Sequence, residues 1–526
     1  MTSSDAQRPT EELPEAIPEL DVVSSVDSMA SQPPEVDVSR RAASGVVWLT
    51  LQKWATRLLG FVTIAVLTRA LTPEDFGTVA AASTVLPFFF LLADLGFAAF
   101  IVQAEKVDQR MLSTAFWFSM GAGTLLCALL MVTAPLVGGV FKNPDVVPVL
   151  QALSLWVLVT AVGSVPMALL RRDMKFAALA SQGTIAAVIA QIVAIAMAVG
   201  GLGVWALVGQ ALVAPVIATT LAWRFAKWRP NRVFARSELG MMVRFGGQVL
   251  GVEFVALARV WGEAAVISSV LGAAALGYMN VAQRLVQVVQ DLTGSAIVPV
   301  SNVAFAKIRD STERLREAYL RALRLTYAVL SLPLTIVAVT APMLIPIVFG
   351  SGWEQSAQVA QILALAGTLS VGAWLDYGLY YGVGKPGVWF IYALVIDGMT
   401  FLATVLTVHW GLEAIAWGFL VVAVVATMVR WFMVSHLLDS SVRVIAGPFM
   451  YLTVVVLIAG GAGWAVGLAT TSLPPLLAVI VIAFTVTVVH IGLTALMSRA
   501  VIRDVLRLAA RTGAGSRLPW LRKLRS

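Results

Sequence analysis

Ionisable residues inside long apolar runs are where this chain can do chemistry. Lys53 and Arg57 are four positions apart and share one helix face. Like charges on one intramembrane face repel, and each charge at the bilayer centre costs at least ~2.5–3.5 kcal/mol. Lys53 is roughly 13 Å inward of Ser44 at 1.5 Å per residue, too far to snorkel easily to the surface. The pair calls for water or an anion, and the reading is an anion-attracting cavity wall. Arg244, Glu253, Arg259 and Glu263 fall in another apolar run. Arg259 and Glu263 have ion-pair spacing, whereas Glu253 has no spaced partner and needs a distant cation, a coupling ion or a proton. Asn280, Gln283, Arg284, Gln287, Gln290 and Asp291 recur at helical spacing and form a polar stripe. Facing lipid, that stripe would stay unsatisfied, so it faces packed protein or a wet cavity. Asp94, Asp376 and Asp397 are further acids in apolar surroundings. Asp376 stands among Trp374, Tyr377, Tyr380 and Tyr381, which suit sugar faces or, more simply, an interfacial aromatic belt. The binding candidates, for an anion-attracting cavity with a wet polar wall, are Lys53, Arg57, Arg259, Arg284, Asn280, Gln283 and Gln287. The ion-coupling candidates are Glu253, Glu263, Asp291, Asp94 and Asp376.

The elements that must position these groups are membrane helices. Hydrophobic residues make up 59% of the chain and charged residues 13%, about half the share of a soluble domain, so the chain is an integral membrane protein. Its apolar runs are long and continuous, as helices of about 20 residues require, and lack the alternation of barrel strands. The fold expected is an all-α polytopic protein of about fourteen transmembrane helices, with the ninth over 320–349 and the tenth over 356–383. Of the 37 Lys and Arg, 29 fall in alternate connections or the tails, Arg430 and Arg443 among them, and the opposite loops hold Arg69 and Lys142. The basic side is cytoplasmic by the positive-inside rule, and an even span number puts both termini there. Pro87, Pro166, Pro215, Pro299, Pro333, Pro342 and Pro346 lie in or near spans and can kink them.

Residues 1–39 hold nine Asp and Glu against one Arg, which predicts a disordered acidic cytoplasmic tail. An N-terminal six-helix lobe follows over 40–226, a cytoplasmic linker over 227–240, a C-terminal six-helix lobe over 241–438, helices 13 and 14 over 446–498, and a basic cytoplasmic tail over 499–526. The lobes look alike: "GFVTIAVLTRALTPEDFGTVA" with "LLADLG" parallels "EAAVISSVLGAAALGYMNVA" with "VVQDLTG". Six intervening helices give both copies one orientation, so the repeat is parallel, two lobes around a central cavity, as in transporters.

Several classes are excluded. There is no G-x-x-x-x-G-K-[ST] loop for ATP and no H-E-x-x-H. The three histidines are scattered and Cys127 is alone, so neither a zinc site nor a disulfide framework is expected. The pI near 9.8 reflects inner loops on anionic lipid rather than nucleic-acid binding.

"LTRALTPEDFGTVAAASTVLPFFFLLADLGFAAFIVQ" (67–103), "LSTAFW" (112–117), "GSVPMALLRRDMKF" (163–176) and "VLGAAALGYMNVAQRL" (270–285) resemble the polysaccharide transporter family of O-antigen flippases and colanic-acid exporters, within the multidrug/oligosaccharidyl-lipid/polysaccharide superfamily. The resemblance covers roughly 40–500. Members often carry Asp or Asn at Glu263 and Tyr-Arg at Gln283-Arg284, and the acidic tail is not a family feature. The resemblance implies a flippase of the bacterial inner membrane. It would move an undecaprenyl-diphosphate-linked oligosaccharide to the outer leaflet by alternating access, with no cofactor beyond a proton or sodium gradient. Expected partners are this substrate, membrane lipids, and glycosyltransferases or a polymerase of the pathway. The last two helices would offer a groove for the lipid tail. The competing readings are a drug or cation antiporter of the superfamily, a membrane glycosyltransferase or ligase, and a scaffold; the short outer loops leave little room for an acceptor.

Overall fold

The computed structural model describes residues 56, 58–94, 97–104, 107–235, 257–294, 301 and 304–498. Both tails, the linker after 235 and the first half of the first span lie outside the described residues. Every regular element among the described residues is helical. In chain order they are α1 Leu58–Ala70, α2 Pro73–Asp94, α3 Phe97–Gln103, α4 Gln109–Val140, α5 Val146–Arg172, α6 Phe176–Val199, α7 Trp205–Ala226, α8 over 257–271, α9 Ala273–Gly294, α10 Thr312–Phe349, α11 Glu354–Ser370, α12 Gly372–Gly382, α13 Pro386–Thr407, α14 Leu412–Leu437, α15 Val442–Ala469 and α16 Pro475–Met497. Among the described residues, ten spans are long and apolar enough to cross a membrane, α11 and α12 counting as one, beside the shorter apolar α1. The fourteen expected from the sequence include stretches outside the described residues, in the first, seventh and eighth spans.

Two boundaries and the placement of one residue differ from the expectation. The ninth span starts at Thr312, because Ser311 caps it by accepting from the Arg314 amide, so the basic stretch ahead of 320 is helix rather than loop. The tenth span breaks at Val371 into α11 and α12. Arg430, placed in an inner connection, lies inside α14, seven residues short of its end at Leu437, and is buried.

Small residues let the helices approach closely, the usual device where apolar burial cannot distinguish helix from lipid. A Cβ on Gly123 of α4 would sit 2.6 Å from Ala161 Cβ of α5, and one on Gly163 of α5 would sit 2.5 Å from Thr219 Oγ1 of α7. In α6 the stripe Ala186, Ala190, Ala194 and Ala198 is buried at a spacing of four, the face that packs on its neighbours. The last hairpin closes with Gly463 of α15, whose added Cβ would meet Val486 of α16 at 2.4 Å. It docks on α10 through buried His490, whose Nε2 lies 3.0 Å from Ser331 Oγ.

The two halves meet where α2 crosses α9. The local chemistry of "TPEDFG" builds that crossing. Thr72 caps α2, its backbone amide donating to Asp75 Oδ2 at 2.9 Å while the Asp75 amide donates to Thr72 Oγ1 at 3.2 Å. Pro73 fills the first helical position, where no amide is needed. Gly77 then lies against the start of α9: an added Cβ would fall 1.8 Å from the Ala273 carbonyl oxygen. The relation is reciprocal, since a Cβ on Gly277 would fall 2.0 Å from the Pro73 carbonyl oxygen. Such mutual contact is the mark of a two-fold relation between like elements, and it fits the parallel repeat.

Candidate functional site

Around this crossing the two halves seal one end of the bundle, the end opposite the basic connections. Phe76 of α2 and Tyr278 of α9 stand edge-on to the fully buried Trp353 at the start of α11, with ring centroids 5.2 and 5.9 Å away. Trp353 Nε1–H donates to the Thr68 carbonyl at 3.0 Å. Arg69 Nη2 donates to the Ile347 carbonyl at 2.8 Å, and Ser268 Oγ to that of Phe141 at 3.1 Å. These bonds end on carbonyls that helix termini leave unpaired, which is why they form between element ends.

Deeper in the second half lies a cavity of about 630 Å³, walled by α8, α9, α11, α12, α13 and α14. Its volume falls in the range of small-molecule sites, about 300–1,000 Å³. Arg259 of α8, Glu263 one turn on, and Asp397 of α13 line it, as do Gln283, Gln287 and Gln290 of α9 and Tyr392 of α13. Arg259 bridges both acids: Nη1 is 2.8 Å from Glu263 Oε1, and Nε is 2.8 Å from Asp397 Oδ1. The spacing-based ion pair therefore exists, with a second carboxylate added from another helix. One guanidinium held by two carboxylates leaves this wall without surplus positive charge.

Arg430 of α14 lines the same cavity and is 3% exposed. Its Nη2 donates to the Leu369 carbonyl at 2.9 Å and to Thr427 Oγ1 at 2.8 Å. Leu369 is two residues before the helix break, and its carbonyl also accepts from Thr427 Oγ1. Non-helical backbone at membrane depth is tolerated only when buried protein groups satisfy it, and Arg430 supplies that here. Arg430 Nη1 is 3.6 Å from Asp376 Oδ2, an ion pair too long for a hydrogen bond. Asp376 Oδ1 accepts from the buried hydroxyl of Tyr319.

The sequence candidates thus part company. Arg259, Glu263, Gln283 and Gln287 line this cavity. Asn280 and Arg284 are exposed on α9 and are not among its lining residues. Asp376 does not line it and is packed at 3% exposure; of its neighbours, Tyr377 stacks on Tyr381 at 4.2 Å. Asp94 ends α2 and Asp291 lies in the last turn of α9. Lys53, Arg57 and Glu253 lie outside the described residues. Arg430 was missed because it was counted with the loop that follows its helix. The available signal was Asp376 itself: a lone acid in an apolar run requires a cation, and "ATMVRWFMVSHL" places one well inside another.

No cluster of three or more metal-ligating side chains occurs among the described residues. A crevice of about 350 Å³ between the halves is apolar, lined by Val85, Phe88, Phe89, Val137, Leu257 and Trp261 among others.

Comparison with known proteins follows the fold and goes beyond it. The profile of a family described as polysaccharide biosynthesis protein matches residues 66–358. The chain is 27% identical over 425 residues to the lipopolysaccharide biosynthesis protein WzxC of Escherichia coli K12, covering 78% of this chain and 84% of that protein. It is 26% identical over 400 residues to the succinoglycan biosynthesis transport protein ExoT of Rhizobium meliloti, covering 75% and 80%. It is 24% identical over 442 residues to the teichuronic acid biosynthesis protein TuaB of Bacillus subtilis, covering 81% and 89%. Among solved structures, the lipid II flippase MurJ in an inward closed conformation superposes with a TM-score of 0.72 at 12% identity, covering 87% of this chain and 100% of that one. An inward-facing multidrug transporter of the MATE family gives 0.56 at 16% identity, covering 73% and 96%. At those identities the structural likeness concerns the fold.

Proposed function

The chain belongs to the polysaccharide biosynthesis protein family, and we propose that it is the flippase that carries an undecaprenyl-diphosphate-linked oligosaccharide from the inner to the outer leaflet of a bacterial inner membrane. It is a multi-pass membrane transporter with two similar halves. The observation that carries the reading is the pairing of a sealed end with a polar cavity deep among the helices. A carrier that alternates access needs both, one end closed while the polar part of the substrate is sheltered from lipid.

Orientation follows from charge. The basic connections face the cytoplasm, so both termini lie there and the sealed end is the outer one. On that reading the described conformation is closed to the outside. Lys53 and Arg57 would meet the diphosphate, Arg284 and Asn280 its approach along α9, and Gln283 and Gln287 the sugars. A proton or sodium gradient would drive the cycle: about 2.3 kcal/mol is available per charge per 100 mV. Glu253, Glu263, Asp291, Asp94 and Asp376 are the coupling candidates. Glu263 and Asp376 are held by Arg259 and Arg430, so either would take up an ion only as its arginine lets go. Glycosyltransferases or a polymerase of the same pathway are the protein partners this role implies.

Depletion of the protein in its native cell tests the proposal. Lipid-linked oligosaccharide should accumulate on the cytoplasmic face, beyond the reach of added glycan-cleaving enzymes, and move outward on re-expression. An unchanged distribution between leaflets refutes the flippase and favours a scaffold or a drug antiporter.

A further inference from the structure

A second concavity opens at the sealed end, on the side of the second half. It has a volume of about 310 Å³ and lies where the starts of α9, α11 and α14 meet the end of α8. That is the lower end of the range of small-molecule sites, about 300–1,000 Å³. Val359 and Leu412, both buried, belong to its apolar part. Its polar part is Gln355 and Gln358, three positions apart on one face of α11, and Glu413 in the first turn of α14, with Trp410 beside them. All four are exposed, Trp410 at 77%. The neighbouring Glu354 has its carboxylate turned onto the Gly352 amide at 3.1 Å, whereas no hydrogen bond to the described residues occupies Gln355, Gln358 or Glu413. Gly411 allows the chain to reverse between Trp410 and α14, since its φ of 96° lies where glycine alone is unstrained.

These groups select the occupant. The loops at this end carry two cations, Arg69 and Lys142. Arg69 donates to the Ile347 carbonyl, Lys142 follows α4 in the first half, and neither lines the concavity. A diphosphate or an acidic sugar would meet Glu413 with no cation to offset it. Two carboxamides and a carboxylate together supply donors and acceptors, the complement of adjacent hydroxyl groups. An exposed indole suits the apolar face of a pyranose. A tryptophan at the membrane boundary also fits an interfacial belt, but a belt does not call for two amides and a carboxylate around one hollow. The lining comes from the second half alone, so rigid rocking of one half against the other leaves the hollow intact.

We propose that this concavity is a saccharide site on the outer face, holding a neutral, hydroxyl-rich unit of the glycan after it has crossed. The sugar ring stacks on Trp410, and Gln355, Gln358 and Glu413 bond its hydroxyl groups. The site shares no lining residue with the cavity of about 630 Å³ deeper in the same half. Its sidedness and the source of the sugar rest on the flippase reading. Because the hollow persists in both states of the cycle, a sugar bound there stays outside while the halves return.

The test uses the full-length protein in sealed right-side-out membrane vesicles, which present the outer face alone. The probe is neutral oligosaccharide prepared by partial acid hydrolysis of the cell's own surface polysaccharide. The wild type should bind it, and Trp410→Ala and Gln358→Ala should each weaken binding about tenfold, the worth of a stacking contact or of one or two hydrogen bonds. Both side chains are exposed, so neither change empties the core. Gln358→Ala decides the matter if Trp410→Ala loosens the protein in the membrane. Wild-type affinity in Gln358→Ala overturns the site, and so does binding confined to inverted vesicles. Acidic fragments bound as tightly as neutral ones overturn the sugar class assigned to it. Surface polysaccharide that is still made when the protein is depleted refutes the flippase reading instead, and the vesicle measurement then judges the site by itself.

Discussion

The indole N–H of Trp353 donates to the carbonyl oxygen of Thr68 at 3.0 Å, so a side chain at the start of α11 closes the end of α1, 285 positions away. Phe76 and Tyr278 hold the ring edge-on from α2 and α9, so one buried residue joins four helices of both halves. Trp353→Phe keeps most of the ring and loses the bond, and should lower stability by about 1 kcal/mol. Trp353→Ala empties the site and should cost about 3–5 kcal/mol. Thermal unfolding of the purified variants measures both, and a Trp353→Phe variant as stable as the wild type would show that the hydrogen bond contributes nothing.

Gly77→Ala places a methyl group where the backbone of Ala273 now sits. No rotamer avoids a carbonyl at 1.8 Å, so α2 and α9 must part. The overpacking cost of about 1–3 kcal/mol falls on the sealed conformation alone. A cysteine introduced at Gln283 should then react faster with a membrane-impermeant maleimide added outside the cell. Reaction at the wild-type rate would show that this crossing is not the seal. Gly277→Ala should behave alike, because the contact is reciprocal.

Arg259 has two acidic partners, so removing either one should be tolerated and removing both should not. Asp397→Asn and Glu263→Gln should each cost little, since the remaining carboxylate still neutralises the guanidinium. Together they leave an unpaired charge in the membrane span, a loss of about 3–5 kcal/mol, less whatever the partial exposure of the pair allows water to recover. Thermal melts of the two single variants and the double variant give the coupling directly. Additive losses would mean that the acids act independently.

Ser331→Ala should strand His490 in a buried, apolar contact between α16 and α10, costing about 1–3 kcal/mol. Ser331→Ala with His490→Leu removes both partners and should restore most of it. Protease sensitivity of the last hairpin reports its docking, and a double variant no better than the single one would count against the polar clasp.

Arg57→Ala should abolish glycan export at normal protein level, and Glu253→Gln should impair gradient-driven turnover. Export assays in the depleted strain and ion-jump measurements in proteoliposomes check the two. Wild-type behaviour in the first removes the cationic entry site, and unchanged ion dependence in the second removes Glu253 from coupling.

Much of the architecture was legible because lipid imposes simple rules. Apolar length alone yields helices, and the likeness of Gly77 and Gly277 in "PEDFG" and "AAALG" marked the repeat whose two copies touch. The i,i+4 pair of Arg259 and Glu263 was legible for the same reason: both groups belong to one helix, and helix geometry is local. Arg430 was not. It counts as a loop cation by proximity, and only packing α14 against the break after α11 turns it inward onto Leu369 and Asp376.

Composition and periodicity by themselves determined an all-helical membrane protein, its doubled halves and the basic side of its loops, because burial in lipid and helical spacing act on neighbours in sequence. Tertiary structure alone decided which charges meet: that Asp397 joins Arg259, that Arg430 answers Asp376, and that Trp353 seals Thr68. Those partners come from different helices, and nothing along the chain encodes the rotation and depth at which one helix presents a side chain to another.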